Sequence, residues 1–241
     1  MPRTTADLTS SRAPSARFVR GVRLGLPIFL GYVPAGIAFG ILARTIGFTL
    51  VQAVTCSATA LAGAGQFIAL DTLRQDGAVV AVLAATTVVN MRYLLFGSTI
   101  SPYLRGYGLP SQSGIAFTLT DETFAINIAD QREGYSTAAS MLGVGAIAWT
   151  GWVLGTLIGA AGAGFIGDPD KWGVQFAMPA MFTALFVALA ENRRDVLVGL
   201  LAALIIVVLP LIRTLGVDIG SSWFIIISSM SAATIGTVVF R

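Results

Sequence analysis

The sequence contains no histidine, one cysteine (Cys56) and one lysine (Lys171), and these scarcities exclude several kinds of chemistry. Without histidine the chain cannot build a Ser-His-Asp catalytic site or a zinc site that depends on imidazole. A single cysteine cannot close a disulfide within the chain. Lys171 lies in the segment DPDKWG, which has neither the glycine loop nor the following Ser or Thr of a Walker A phosphate-binding motif. We therefore expect no cofactor, no metal and no nucleotide site.

Charged residues are also scarce, and most of the chain consists of long uncharged stretches. Charged residues make up 11% of the 241 residues and hydrophobic residues 55%, whereas an average soluble domain is roughly 25% charged. About 20 apolar residues in a helix span a hydrocarbon core of ~30 Å. Because the chain consists largely of such stretches, we expect an all-α integral membrane protein with lipid as its surroundings and no nucleic acid partner.

Cutting the sequence at its charged and Pro/Gly-rich connectors predicts about eight transmembrane helices. They cover approximately residues 22–43, 47–70, 78–99, 112–129, 137–160, 172–190, 195–213 and 219–240. Residues 1–19 are rich in Arg, Ser and Pro, so we expect a disordered cytoplasmic tail before a single transmembrane domain, residues 20–241. Arginine is concentrated on the side of this tail, which places both termini in the cytoplasm. This topology puts Arg74 on the cytoplasmic side and Arg105 on the outer side.

The first predicted span, GLPIFLGYVPAGIAFG, carries helix-disrupting residues in its middle. Proline removes a backbone donor and crowds the carbonyl four residues before it, so Pro34 predicts a helix that is kinked or broken between Gly31 and Gly36. A broken helix leaves backbone amides inside the membrane, where the N-terminus of a half-helix suits a carboxylate. Tyr32 and Gly36 lie at this point and are predicted to bind substrate.

The second predicted span has a small, polar face. Thr55, Thr59, Gly63 and Gln66 are spaced four, four and three residues apart, which places them on one side of a helix. The threonine hydroxyls can bond to their own backbone, but a primary amide needs more partners than its own helix offers. Gln66 is therefore a candidate binding residue.

The fifth predicted span contains Gly151, Gly155 and Gly159, which form two successive Gly-x-x-x-Gly steps. Such steps let another helix backbone approach closely. The neighbour is either a helix of this chain or a partner subunit.

Arg92 lies inside the apolar run VVNMRYLLFG, close to Asn90. An arginine near the centre of a membrane helix costs about 2.5–3.5 kcal/mol on insertion scales unless it is paired or reaches water. Asp121 and Glu122 are the natural counter-charges, and because adjacent carboxylates disfavour joint ionisation we expect one of them to carry a proton. The group is either a structural ion pair or a site for a zwitterion, in which Arg92 takes the carboxylate and the acids take an ammonium or a coupling proton.

Asn90 and Arg92 are about 200° apart on a regular helix, so both cannot point into one site unless the helix is distorted there. The predicted substrate-binding residues are Arg92, Asn90, Gln66, Asp121, Glu122, Tyr32 and Gly36.

Four segments in a fixed order, GYVPAGIAFG, LAGAGQF, NMRYLLFGSTISP and TDETFA, resemble the AzlC family of branched-chain amino acid exporters. Leu61 and Gly65 replace the family's commoner tyrosine and serine, which removes two hydroxyls. The resemblance implies export of valine, leucine or isoleucine across the cytoplasmic membrane together with a small AzlD-type membrane subunit. The glycine steps of the fifth span would suit that partner. Since no nucleotide site is present, we expect a secondary carrier driven by protons.

Other function classes are weighed against an exporter. A channel or uptake permease for another small solute would use the same charges for selectivity, and a scaffold would use them for folding only. An intramembrane enzyme is disfavoured because adjacent acids on a helix diverge by about 100° and cannot converge on one bond. We therefore expect a transporter and no enzymatic activity.

Overall fold

The computed structural model describes residues 13–166, 192–213 and 221–239, together with isolated positions between 171 and 190. Within these ranges every regular element is a helix. The chain divides into two compact units, Met1–Met181 and Phe182–Arg241. The first unit contains α1 (Pro14–Thr45), α2 (Leu50–Thr59), α3 (Gly63–Arg74), α4 (Val79–Asn90), α5 (Arg92–Leu104), α6 (Leu109–Phe117), α7 (Asp121–Arg132) and α8 (Ala138–Ile166), and the second contains α9 (Arg193–Arg213) and α10 (Ser221–Val239).

Three stretches of the described chain are long and apolar enough to cross a membrane: Pro14–Thr45, Val79–Leu104 and Ala138–Phe165. They correspond to the first, third and fifth predicted spans. The middle stretch consists of α4 and α5, which are separated at Met91. The sixth predicted span lies outside the described residues except for isolated positions, and the described residues do not confirm eight crossing spans.

Helix α1 begins at Pro14, so the predicted disordered tail is wrong for residues 14–19. Proline is favoured in the first turn of a helix because its missing N–H has no helical partner there. The first turns also pack on α8, since a methyl group on Gly143 would lie 2.3 Å from Phe18 O. Residues 1–12 lie outside the described residues.

Helices α1 and α8 run parallel and pack backbone to backbone along a seam of small residues. A methyl group on Gly21 would lie 2.0 Å from Ser140 O, and one on Gly40 would lie 2.3 Å from Thr156 O. On the α8 side, Gly155 and Gly159 face the carbonyls of Val33 and Ile37 in the same way. The glycine steps of the fifth span are therefore filled by the first helix of this chain, and the expectation that a partner subunit docks there is wrong.

Pro34 does not break α1, which is continuous from Pro14 to Thr45. The proline removes the hydrogen bond to Leu30 O and crowds that carbonyl. Glycine contacts on both sides of it, at Gly25 with Val144 and at Gly36 with Trp152, hold α1 against α8. Close packing thus keeps the helix continuous where the sequence allowed a break.

The second predicted span folds back on itself as a helical hairpin made of α2 and α3. Helix α2 starts at Leu50, just after α1 ends at Thr45, and the direction changes at residues 60–62. The far end of α3 returns to the same place, because Asp71 and Arg74 line a cavity together with Thr45 and Ile46. Both ends of the hairpin therefore lie at the C-terminal end of α1, so this segment enters the first unit and leaves on the side from which it came.

The fourth predicted span forms a second hairpin, made of α6 and α7, that enters from the opposite side. Helix α6 runs parallel to α8, since Gly114 contacts Leu142 and Thr118 covers Gly145. Helix α7 runs back along α1. Its first turn reaches Tyr32 through Glu122, and its last turn reaches Arg20 through Asp130, whose oxygens lie 2.9 and 2.5 Å from the guanidinium nitrogens.

The two hairpins change the sides assigned to two arginines. Arg74 lies at the C-terminal end of α1 and Arg105 at the N-terminal end, the reverse of what eight crossing spans predict. Arginine remains more frequent at the N-terminal end of α1 in the described part of the first unit. That end carries Arg17, Arg20, Arg23, Arg105 and Arg132, and the other carries Arg44 and Arg74.

The second unit contains α9 and α10, which pack against each other. A methyl group on Gly236 would lie 2.6 Å from a side-chain carbon of Val198. These helices coincide with the seventh and eighth predicted spans.

Candidate substrate-binding site

The turns of both hairpins and the interruption at Met91 meet at one small cavity in the first unit. Its volume is about 10 Å³, which is roughly the space of one water molecule. It is lined by Tyr32, Leu61, Gly63, Ala64, Arg92, Tyr93, Thr120, Asp121, Glu122 and Trp152. Interrupted helices within a membrane protein are tolerated where they are buried in protein or line a cavity.

The turn of the second hairpin is built by a capping box. Thr120 is the N-cap of α7, its side chain accepts the Thr123 N–H, and Thr123 Oγ1 accepts the Thr120 N–H at 2.8 Å. This arrangement satisfies backbone donors that would otherwise be exposed where the chain reverses. It also places Asp121 and Glu122 in the first turn of α7, where the positive end of the helix dipole favours carboxylates.

Arg92 and Asp121 form an ion pair, with 2.8 Å between a terminal guanidinium nitrogen and Asp121 Oδ2. Their side chains are 25% and 19% exposed, so the pair is largely shielded yet reaches the cavity. Arg92 Nε has no hydrogen-bond partner among the described residues. The counter-charge predicted for Arg92 is therefore present, and the guanidinium keeps a donor available for a further acceptor.

Glu122 points away from this pair, towards α1. Its Oε2 lies 2.5 Å from the Tyr32 hydroxyl, which also lies 2.8 Å from Thr120 Oγ1. A phenol has one proton to donate, and the carboxylate is the stronger acceptor. Within the described residues no ion pair reaches Glu122. The two adjacent acids therefore have different partners: a cation for Asp121 and a neutral hydroxyl for Glu122.

Gln66 is buried beside the cavity and uses both ends of its amide within the protein. Its Oε1 accepts the Trp152 indole N–H at 2.9 Å and the Ala62 backbone N–H at 3.4 Å. Its Nε2 donates to Ser57 Oγ at 3.2 Å. The partners come from α2, α8 and the hairpin turn, as the need for partners outside its own helix predicted. Gln66 thus fastens the first hairpin to α8 and does not line the cavity.

Asn90 and Gly36 also lie outside the cavity lining. Asn90 ends α4, and its amide covers Gly65, where a methyl group would lie 2.8 Å from Nδ2. Asn90 Oδ1 is buried without a partner among the described residues. Gly36 lies in the seam between α1 and α8. Asn90 and Arg92 could face one site only if the helix between them were distorted. Such a distortion is present at Met91, but only Arg92 reaches the cavity.

Four of the seven predicted residues therefore meet at the cavity: Tyr32, Arg92, Asp121 and Glu122. Thr120 and Trp152 also line the cavity and were not predicted from the sequence. The three-residue spacing of Thr120 and Thr123 is part of the sequence pattern of a capping box and could have indicated Thr120. Trp152 has no signal in its own span, because an indole within an apolar helix is ordinary. The described residues contain no cluster of three or more His, Cys, Asp or Glu side chains suited to a metal.

The chain is similar to several membrane proteins. It is 30% identical to the inner membrane protein YgaZ of Escherichia coli over 88% of this chain and 91% of that protein. It is 34% identical to an uncharacterized membrane protein of Archaeoglobus fulgidus over 76% of this chain and 80% of that protein. It is 30% identical to the branched-chain amino acid transport protein AzlC of Bacillus subtilis over 67% of this chain and 63% of that protein.

No solved structure matches the chain. Residues 27–166 match the family described as AzlC protein, and this region contains all of the cavity-lining residues. The chain therefore belongs to the AzlC family.

Proposed function

We propose that this protein exports branched-chain amino acids across the cytoplasmic membrane as a proton-coupled secondary carrier that acts with a small AzlD-type subunit. The observation that carries the proposal is the Arg92–Asp121 pair beside Glu122, in a cavity where three helix interruptions meet. The similarity to a branched-chain amino acid transport protein supports the substrate class. The arginine-rich end of α1 supports cytoplasmic termini.

The charges of the cavity suit a zwitterion. Arg92 offers its unpaired Nε–H to the substrate carboxylate, and Glu122 offers a carboxylate to the ammonium. With both acids ionised, one arginine faces two carboxylates, so the empty site carries one excess negative charge. Glu122, which no ion pair of the described residues reaches, is left to pair with the substrate ammonium or with a proton. We therefore assign the carboxylate to Arg92 and the ammonium to Glu122.

The position of Glu122 favours coupling to protons. Substrate ammonium and a proton compete for the Glu122 carboxylate, so one excludes the other. A carrier that changes its exposed side only while Glu122 is occupied then carries either amino acid or proton in each half-cycle. Exchange of outgoing amino acid for incoming protons follows, and the inward proton gradient drives export.

The cavity in this structure is too small for an amino acid, since about 10 Å³ holds a single water. Binding therefore requires the hairpin turns to move away from α1. Leu61, Ala64 and Trp152 provide apolar lining against a branched side chain. Each buried methylene contributes about 0.8 kcal/mol, which separates leucine from glycine but hardly separates valine from isoleucine. We expect broad branched-chain specificity.

The AzlD-type subunit must use a surface other than the glycine seam, because α1 fills that seam along its length.

The test is efflux of preloaded labelled valine and leucine from cells that make this chain with and without the small subunit. Arg92→Gln is the site variant, and Arg44→Gln, an exposed arginine at the end of α1, is the matched control. We expect efflux to rise with both subunits and to fall at least tenfold in Arg92→Gln alone, at equal membrane abundance. Unchanged efflux with properly inserted protein would contradict branched-chain export. Saturable counterflow separates a carrier from a channel.

A further inference from the structure

A second, larger cavity lies at the end of α1 from which the first hairpin enters. Its volume is about 160 Å³. Leu42 of α1 and Ile46, which directly follows α1, line it on one side, and Phe67 and Leu70 line it from α3. An apolar cavity of about 150 Å³ accommodates a molecule the size of benzene. The isobutyl side chain of leucine is smaller than benzene and fits this space.

Charges of opposite sign stand at the rim of this cavity. Arg74 and Asp71 both line it, and their side chains are 48% and 55% exposed. Their charged atoms are 3.5 Å apart, a weak contact between residues one helical turn apart. One cation and one anion above an apolar cavity match the carboxylate, ammonium and side chain of a hydrophobic amino acid. A lipid acyl chain would use the apolar walls and neither charge.

The two cavities lie along one helix. Gly63 and Ala64, at the start of α3, line the central cavity, while Phe67 and Leu70, one and two turns further, line the outer one. Between them, the ring of Phe67 packs edge-on against Trp152 at 6.3 Å between ring centres. Trp152 itself lines the central cavity. An aromatic contact therefore separates the two spaces.

We propose that the outer cavity is a second binding site for the transported amino acid, in which Arg74 takes the carboxylate, Asp71 the ammonium, and the apolar wall the side chain. The proposal rests on the proposed function and extends it. Substrate leaving the central cavity passes the Phe67–Trp152 contact and rests at the outer site before release. The site belongs to the face opposite the arginine-rich end of α1.

The experiment measures leucine counterflow in proteoliposomes of the full chain with its small subunit, with leucine varied separately on each face. Arg74→Gln removes the cation, and Arg44→Gln is the matched control, because Arg44 lies at the same end of α1 but bonds the Phe48 carbonyl at 2.7 Å. For each variant we compare the leucine concentration that half-saturates counterflow on the outer face with the one that does so on the inner face. We expect the outer-to-inner ratio of these concentrations to rise about tenfold in Arg74→Gln. Arg44→Gln should keep the wild-type ratio.

An equal ratio in both arginine variants, with active transport, overturns the outer site and leaves the proposed function standing. That is also the result expected if lipid fills the cavity. Asp71→Asn should raise the ratio as well, and its failure to do so would overturn the assignment. Absence of any saturable leucine counterflow in the wild type would overturn the proposed function and the outer site with it.

Discussion

Arg92 and Asp121 are each the first residue of a helix that begins within the first unit, and their side chains meet at 2.8 Å. The positive end of a helix dipole favours Asp121 at its position and disfavours Arg92 at the corresponding one. The ion pair thus compensates a cation that its own helix does not stabilise. Because the pair lines the cavity, it is available for exchange with a charged ligand.

Substitution of Arg92 and Asp121, singly and together, distinguishes a transport role of the pair from a structural role. Arg92→Gln and Asp121→Asn should each lower leucine efflux at least tenfold, because each removes one half of the site's charge pattern. The double variant should recover membrane abundance and thermal stability, since no unpaired charge of the pair remains, but not efflux. Efflux and melting temperature measured on the same preparations check this. Recovery of efflux in the double variant would show that the pair only supports the fold.

Glu122 should contribute to leucine affinity through its carboxylate. Glu122→Gln should weaken leucine binding about tenfold, because a neutral amide does not balance the charge of the substrate ammonium. Tyr32, Tyr93, Arg92 and Asp121 are the other charged or titratable groups of the cavity.

Binding of leucine and of 4-methylpentanoate, which lacks the ammonium group, should be measured for the wild type and for Glu122→Gln. The variant should lose affinity for leucine and keep its affinity for 4-methylpentanoate. An equal loss for both ligands would exclude Glu122 as the group that binds the ammonium.

Gly65 and Asn90 offer a test of local packing. Gly65→Ala should destabilise by about 1 kcal/mol, since the new methyl group meets the Asn90 amide at 2.8 Å and must displace it. Gly65→Ser, which introduces the family's commoner residue, should cost less, because its hydroxyl can donate to the unpartnered Asn90 Oδ1. Thermal unfolding of the two variants gives the order. Equal loss in both would mean that the hydroxyl does not reach Asn90.

Cysteine labelling distinguishes hairpins from crossing spans. After Cys56→Ala removes the native thiol, Arg44→Cys and Gln75→Cys should react with an impermeant maleimide from the same side of the membrane, since the first hairpin returns to its starting side. Arg105→Cys and Glu133→Cys should react from the other side. Labelling of residues 44 and 75 from opposite sides would instead support a crossing second span.

The charged part of the site was predictable, and the reversals of the chain were not. Arg92, Asp121 and Glu122 stand out because charges in apolar sequence need partners. Helices α2 and α3 have 10 and 12 residues, so together they are as long and apolar as one span. Hydropathy therefore cannot tell a hairpin from a crossing. The break predicted at Pro34 is absent for a related reason: the glycine contacts that hold α1 against α8 involve a helix more than a hundred residues away in sequence.

The order of elements in α1–α3 is repeated in α4–α7: a crossing stretch is followed by a hairpin that returns to the side where the crossing ended. The hairpin helices have matching lengths, 10 and 12 residues against 9 and 12. Each half thus traverses the bilayer an odd number of times. A second copy joined directly to the first therefore starts on the opposite side of the bilayer and inserts in the inverted orientation. The two hairpins enter from opposite sides for this reason alone, and the second half requires no separate orientation signal.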